Sequence, residues 1–281
     1  MITRNMPAST YFALPALSTS RLKEMRKSPQ HFRYFYDTPR KTKPMALGTA
    51  AHCATLEPGR FTRDFVIWDR KTESGRSAPR TGKAWDAFVA ESAGRDILTA
   101  DEYGAAVDIS GAVRADPVAA KYLREGDPEV TLQWSLCDRP CKGRADWITE
   151  LDGEPVLVGL KTATDNSHFK FAASAVGYGY TMQWAWYHDG YKALTLREPR
   201  MIEIVVEAKP PYSVVVYAIS EDVLEHGRSE YQELLAKLEQ CERDNYWPGP
   251  AETEVILSLP SWAYGAEDDI SGLDLEGLTD E

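Results

Sequence analysis

Three short β-type runs crowd the middle of this chain, and they constrain its fold more than any other feature. EVTLQWSL (129–136), KGRADWITEL (142–151) and PVLVGLKTA (155–163) are separated by the turn-forming triplets DRP and DGE. Turns that short join antiparallel neighbours. The third run is apolar on both faces at its start, which predicts a central strand covered on two sides. Helical patterns surround the block. Ser18 can cap a helix over 18–27, Pro29 can open the next, and MALGTAAHCATLEP (45–58) reads as a buried helix ended near Pro58. Residues 62–83 read as a strand, FVIW, followed by a basic loop, with helical spacing at 82–93, 100–115 and 117–124. After the three runs come a helix over 177–194, a hairpin of MIEIVVEAK and YSVVVYAIS around Pro210 and Pro211, and a charged helix over 221–244. The order predicts an α/β or α+β domain of about 250 residues, with a tail beyond it.

Composition narrows the class. With 281 residues, 43% hydrophobic and 27% charged, the chain is no disordered, collagen-like or disulfide-stapled sequence. No run of 18 apolar residues is present, and MITRNMPASTYFALPALSTS lacks the order of a signal peptide, so a cytoplasmic location is expected. Cys53, Cys137, Cys141 and Cys241 then read as free thiols. The net charge of −11 argues against a nucleic-acid partner only when taken whole. Residues 251–281 carry nine acids and no base, whereas residues 21–83 carry fifteen bases against six acids. The basic segment is either a solvated face or a phosphate-binding one.

Candidate chemistry lies on the second and third runs. Asp146 stands in G-R-A-D and Lys161 in G-L-K-T, on strands that a short turn can set side by side. An acid that binds a hard divalent cation beside a lysine that orients water or neutralises phosphate is one reading. A simple ion pair is the commoner one. Gly48-Thr-Ala-Ala-His52 puts a histidine in an Ala-rich helix, where a satisfied core residue is the usual outcome. Gln183-Trp-Ala-Trp-Tyr187 sets an amide and a phenol at i and i+4, on one helix face that can equally be core. Glu129 opens the first run and can be an ordinary exposed acid.

Together, G-x-x-x-H, G-R-x-D, x-L-K-T and Q-x-x-x-Y, in that order, resemble the RecB-like branch of the PD-(D/E)xK nucleases. The L-S-x-S-x-L…S-P-x-x-F block, GTAAHCATLEP, KPPYSVVVYAIS and the W-P-G…L-S-L-P-x-W-A ending resemble the exonuclease VIII family of phages and prophages, over roughly residues 10–264. The resemblance implies a restriction-endonuclease-like core with a central mixed sheet flanked by helices. It implies one nuclease domain over 1–264, with a basic helical part (1–125) and a catalytic sheet core (126–250), then an acidic, disordered tail (265–281). It implies Mg2+, with Mn2+ as a substitute, bound by Asp146 with His52 and Glu129. Lys161 would position the attacking water, and Gln183 and Tyr187 would brace the site or touch the DNA backbone. Relatives of this kind degrade linear double-stranded DNA from 5′ ends, leave 3′ single strands for an annealing recombinase, and assemble as ring-like homo-oligomers. Arg21, Lys23, Arg26, Lys27 and Arg33, and the loop with Arg70, Lys71, Arg76, Arg80 and Lys83, are then the candidates for DNA contact.

One position departs from the pattern. The third motif should read D/E-x-K, and here it reads Gly159-Leu160-Lys161. A glycine in a strand costs roughly 0.5–1 kcal/mol relative to alanine, and its neighbours Val156, Leu157, Val158 and Leu160 all favour strand. The favoured explanation is an Asp→Gly substitution that inactivates the enzyme. A naturally non-catalytic DNA-end-binding or partner-recruiting homologue ranks second. Transfer of the role to another acid, such as Asp165, ranks last because Asp165 lies beyond the strand. No iron–sulfur cluster is expected, since Cys241 is the one cysteine after Tyr187, and the Cys137–Cys141 spacing does not suit zinc.

Overall fold

The computed structural model describes residues 1–37, 46–72, 74–75 and 78–259. Arg76 and the acidic tail therefore lie outside the described residues. In chain order the elements are β1 (Ile2–Thr3), α1 (Ala8–Ala13), α2 (Thr19–Leu22), a 3-10 turn (Lys23–Arg26), α3 (Pro29–Asp37), α4 (Ala46–Leu56), α5 (Pro58–Asp64) and β2 (Phe65–Trp68). There follow α6 (Lys83–Glu91), β3 (Asp96–Thr99), α7 (Ala100–Ala115), α8 (Pro117–Leu123), β4 (Asp127–Leu136), β5 (Arg139–Leu151) and β6 (Glu154–Ala163). The last are α9 (His168–Gly177), α10 (Tyr180–Thr195), β7 (Arg200–Glu207), β8 (Val214–Ala218) and α11 (Glu221–Asp244).

The six-stranded sheet runs β1-β4-β5-β6-β7-β8. Its neighbours are antiparallel except β6 and β7, which are parallel and are joined through α9 and α10. Such a crossover needs a long connection, and the two helices supply it. The two hairpins of the middle block close on two-residue turns, Cys137-Asp138 and Asp152-Gly153, with φ of 47°, 60°, 53° and 83°. Positive φ at both central residues matches the right-handed twist of the flanking strands.

Side-chain alternation along β6 and β7 separates two cores. Val156, Val158, Leu160, Ile202, Ile204 and Val206 are buried with residues of α4, α7 and α8. Leu157, Met201 and Val205 are buried on the other face with Trp184 of α10, Phe171 of α9 and Leu224 of α11. Gly159, Lys161 and Glu203 share the second parity, so the sheet presents them toward α10.

Most of the expected elements are present, and β6 is central as its two-sided apolarity predicts. Three details differ. Ser18 stands at a helix N-cap, but its hydroxyl pairs with Ser20 at 2.9 Å instead of a backbone amide, and the helix gives way to the 3-10 turn after Leu22. Pro58 ends α4 but also opens α5, because its fixed φ suits a first helical position. β1, α1, α9 and β3 have no counterpart among the expected elements; β3 pairs in parallel with β2 in a separate two-stranded sheet.

Candidate active site

The Ala-rich composition of α4 explains how a histidine reaches the sheet. Ala50, Ala51 and Ala54 are buried and small, so the helix approaches closely and His52 projects from it toward the strands. His52 Nδ1 lies 3.3 Å from Glu129 Oε1, and its Nε2 lies 3.3 Å from Asp146 Oδ2. Glu129 is not an exposed strand opener. It sits within β4 with φ of 52°, half-buried, and its second oxygen pairs with Arg144 at 2.5 Å.

Asp146 lies at a disturbance in β5. Ala145 and Ile148 pack toward α10 while Trp147 packs on the opposite face, so alternation slips by one residue there. The last β5–β6 pair is Trp147↔Val158, and beyond it the Leu160 amide donates to Asp146 Oδ2 at 3.0 Å. Lys161 Nζ stands 3.6 Å from Asp146 Oδ2 and 3.6 Å from Glu203 Oε1. Gln183 Nε2 donates to Tyr187 Oη at 3.0 Å, and the Tyr187 ring lies over Gly143, where a Cβ would come within 2.8 Å of it. The structure thus brings His52, Glu129, Asp146, Gly159, Lys161, Gln183 and Tyr187 to one place.

The charges are strongly coupled. Burial works against the charged forms of Asp146 and Lys161, but their mutual attraction, with His52 beside the acid and Glu203 beside the lysine, wins. The carboxyl is held well below its usual range and the ammonium well above its own. Burial also opposes a charged His52, yet Asp146 and Glu129 outweigh it and raise its pKa. Burial dominates at Glu129 and Glu203, and both carboxyls are pushed up.

Donor atoms of His52, Glu129 and Asp146 all lie within 4.8 Å of one another. Two carboxylates and an imidazole are a ligand set for a hard or borderline divalent ion such as Mg2+ or Mn2+, so the residues present fit the metal that the resemblance implies. Beside them opens a cavity of about 470 Å³ lined by His52, Glu129 and Arg144, with Arg60 and Arg95 at its wall. Glu57, Asp64 and Asp96 also line it, and Arg60 is paired with Glu57 and Asp64.

The basic residues named from sequence divide. Arg26 bonds the Val176 and Gly177 carbonyls at 3.3 and 3.2 Å and pairs with Glu230, so it ties the N-terminal segment to α9 and α11. Arg80 pairs with Glu102 at 2.7 Å, Lys27 lies 3.9 Å from Glu24, and Arg33 sits over the Trp247 ring. Lys23 reaches the site: it and Lys161 both stand over the Tyr180 ring, at 5.7 and 5.4 Å. Burial, then Lys161 and Arg26, lower its pKa to about 8. Arg21 is half-buried in α2, and Arg70, Lys71 and Lys83 are exposed.

Glu203 escaped the sequence reading. Its signal was present, a single acid inside the otherwise apolar MIEIVV. Trp184 stands within Q-W-A-W-Y, where the sequence marks only an aromatic helix face; its indole donates to Glu203 Oε2. Asp165, by contrast, is exposed and accepts from the Ser167 amide at 2.8 Å, in the turn before α9.

Residues 18–257 match the family described as PDDEXK-like domain of unknown function (DUF3799). The chain belongs to that family. A crystal structure of the "Putative exonuclease" from Eubacterium rectale superposes with a TM-score of 0.61 at 11% identity, covering 94% of this chain and 99% of that one. At that identity the likeness establishes the fold. Structures of SSO0001 (TM-score 0.25, 16% identity, 39% and 50% of the two chains) and of VC1899 from Vibrio cholerae (0.23, 10%, 80% and 57%) are too distant to support an argument. No curated protein matches the sequence. The family and the fold together make this a nuclease-like domain with a candidate divalent-metal site, and no helix among the described residues is long and apolar enough to cross a membrane.

Proposed function

We propose that this chain is a divalent-metal-dependent exodeoxyribonuclease that acts on the ends of double-stranded DNA. The observation that carries the reading is the convergence of His52, Glu129, Asp146 and Lys161 on a PDDEXK-like fold. His52, Glu129 and Asp146 would hold Mg2+ or Mn2+, which supplies Lewis-acid activation of the phosphoryl oxygen and a water of lowered pKa. Lys161, kept cationic by its two acid neighbours, holds positive charge where the phosphate's negative charge builds up. Gln183 and Tyr187 fix one wall of the site through their mutual bond. Digestion from 5′ ends, 3′ single strands handed to an annealing recombinase, and ring assembly belong to the same proposal and rest on the sequence resemblance.

Incubating 5′- and 3′-labelled linear duplexes with Mg2+, Mn2+ or Ca2+, beside an Asp146→Asn control, tests it. Metal-dependent shortening from one end, abolished in the control, is expected. Persistence of cleavage in Asp146→Asn would refute the assignment. A second reading, a nuclease fold that the glycine at 159 leaves inactive, or a natural DNA-end-binding homologue that does not cut, is favoured by one observation, that glycine itself. It predicts tight binding of duplex ends in Ca2+ with intact substrate in Mg2+ and Mn2+.

A further inference from the structure

The space above Gly159 is already filled. A Cβ built on Gly159 would lie 2.3 Å from Glu203 Oε2, 2.5 Å from Oε1 and 2.7 Å from Cδ, so the carboxylate of Glu203 occupies the volume that a side chain at 159 would take. The register explains how. Gly159 and Glu203 are paired residues on parallel β6 and β7 and face the same way, and glutamate is long enough to reach across the strand spacing of about 4.8 Å.

Register also sets the acids in a row. Glu129 falls between the pairs Pro128↔Trp147 and Val130↔Ala145, opposite Asp146. Asp146 comes one step after Trp147↔Val158, opposite Gly159. Across β4, β5, β6 and β7 the row therefore reads Glu129, Asp146, Gly159, Glu203, with a carboxylate at every position but one. We propose that Glu203 supplies the site carboxylate that the D/E-x-K motif lacks at 159, the acid having moved one strand over, from β6 to β7. The proposal rests on the nuclease reading above and deepens it.

Two further observations point the same way. Glu203 is 1% exposed, yet its Oε1 accepts no hydrogen bond; among the described residues its ion-pair partner is Lys161, 3.6 Å away and equally far from Asp146. A buried carboxylate left half-satisfied on the sheet face that carries Leu157, Met201 and Val205 is costly, and an apolar residue would pack there better. In addition, a cavity of about 20 Å³, enough for one water-sized group, is lined by Asp146, Gly159, Lys161, Glu203, Gln183 and Tyr187 among others. Both carboxylates of the proposed pair thus open onto one small space beneath α10. A glycine at 159 is what leaves room for this arrangement.

The test uses the full chain and Mn2+ binding by calorimetry without DNA, with thermal unfolding of the metal-free protein alongside. The unaltered chain is compared with Glu203→Gln, Gly159→Asp and the double variant Gly159→Asp/Glu203→Ala. Glu203→Gln is expected to weaken Mn2+ at least about tenfold without lowering the metal-free Tm. The double variant, which returns the acid to β6, is expected to bind Mn2+ within about threefold of the unaltered chain. Gly159→Asp alone is expected to gain no cleavage, since the Glu203 carboxylate already fills the space its side chain needs. Unchanged Mn2+ affinity in Glu203→Gln with a lowered Tm would make Glu203 a structural partner of Lys161 and overturn the proposal, as would a large gain of cleavage in Gly159→Asp. Should Glu203→Gln fail to fold, the double variant decides: folded and binding Mn2+ supports the proposal, folded and not binding overturns it. Duplex cleavage is read separately. Mn2+ bound through Glu203 with intact DNA sinks the nuclease reading while supporting the acid's role, and absence of any Mn2+ binding overturns both.

Discussion

Gly227 sits where α11 crosses α10, and an alanine there has nowhere to put its methyl group. The added Cβ would lie 2.1 Å from the Thr181 carbonyl oxygen, 2.4 Å from its carbon and 2.9 Å from the Met182 nitrogen. All three are backbone atoms of α10, so no side chain can swing aside and the helices must separate by roughly 1 Å, which forfeits a quarter to a half of each contact across the seam. That seam holds Met182, Ala185 and Trp186 against Tyr231, Leu235 and Leu238, with the Trp186 and Tyr231 rings edge to face at 5.3 Å. Overpacking of this kind costs about 3 kcal/mol, or a Tm lower by about 6–12 °C for a domain of this size. Because α10 also carries Gln183, Trp184 and Tyr187, the folded fraction should cleave DNA more slowly. Gly111 in α7 is the control, since a Cβ there meets nothing within 4 Å. Gly111→Ala should stabilise by roughly 0.5–1 kcal/mol through reduced backbone entropy. Urea titrations and thermal scans of both variants check the pair. A Gly227→Ala protein as stable as the parent would refute the close crossing and, with it, the account of how α10 is positioned.

Two other outcomes follow from the same helices. Gly143→Ala should push the Tyr187 ring away, because the methyl would lie 2.8 Å from Cδ1 and Cε1, and the 3.0 Å bond to Gln183 should break. Cleavage should fall more than stability, for which about 1–3 kcal/mol is expected; unaltered cleavage rates would remove Tyr187 from the working site. Asp189 on α10 accepts from Arg228 at 2.9 and 3.0 Å and from Tyr231 at 2.6 Å, with His188 Nδ1 at 2.8 Å. Burial would raise its pKa, but those partners outweigh it and hold the carboxyl below its ordinary 3.8. A depressed acid stabilises the fold above about 3.8 and loses that contribution as pH falls through the lower folded value. Asp189→Asn should therefore be less stable at pH 6 and change less between pH 6 and pH 3 in urea titrations. An equal pH dependence in both proteins would contradict the clamp.

Much of this molecule could be read in one dimension. The strands of the middle block were legible because β-type runs ended at residues that tolerate positive φ, and α11 was legible because charge and apolar positions alternated at helical spacing over 24 residues. His52, Asp146 and Lys161 stand in ordered motifs, whereas Glu129 stands in none and enters only through the family resemblance. α9 was not, since HFKFAASAV carries too little polar contrast to separate it from the helix after it. Basic residues were legible as charge but not as contacts. Arg26 and Arg80 turn out to face acids more than 20 residues away in sequence.

What the sequence by itself determined is local: the periodicities, the turns, and the four blocks whose order points to a metal-dependent nuclease. What only the tertiary structure decided is register. Gly159 looked like a hole in its motif because its own strand contains no substitute. Forty-four residues later a lone glutamate sits in an apolar run, and nothing local says which residue of β6 it will face. The parallel pairing of β6 with β7 sets them together, and glutamate's length carries its carboxylate over the glycine. Contacts between parallel strands depend on a crossover through two helices, and that geometry exists only once α9 and α10 have packed against the sheet.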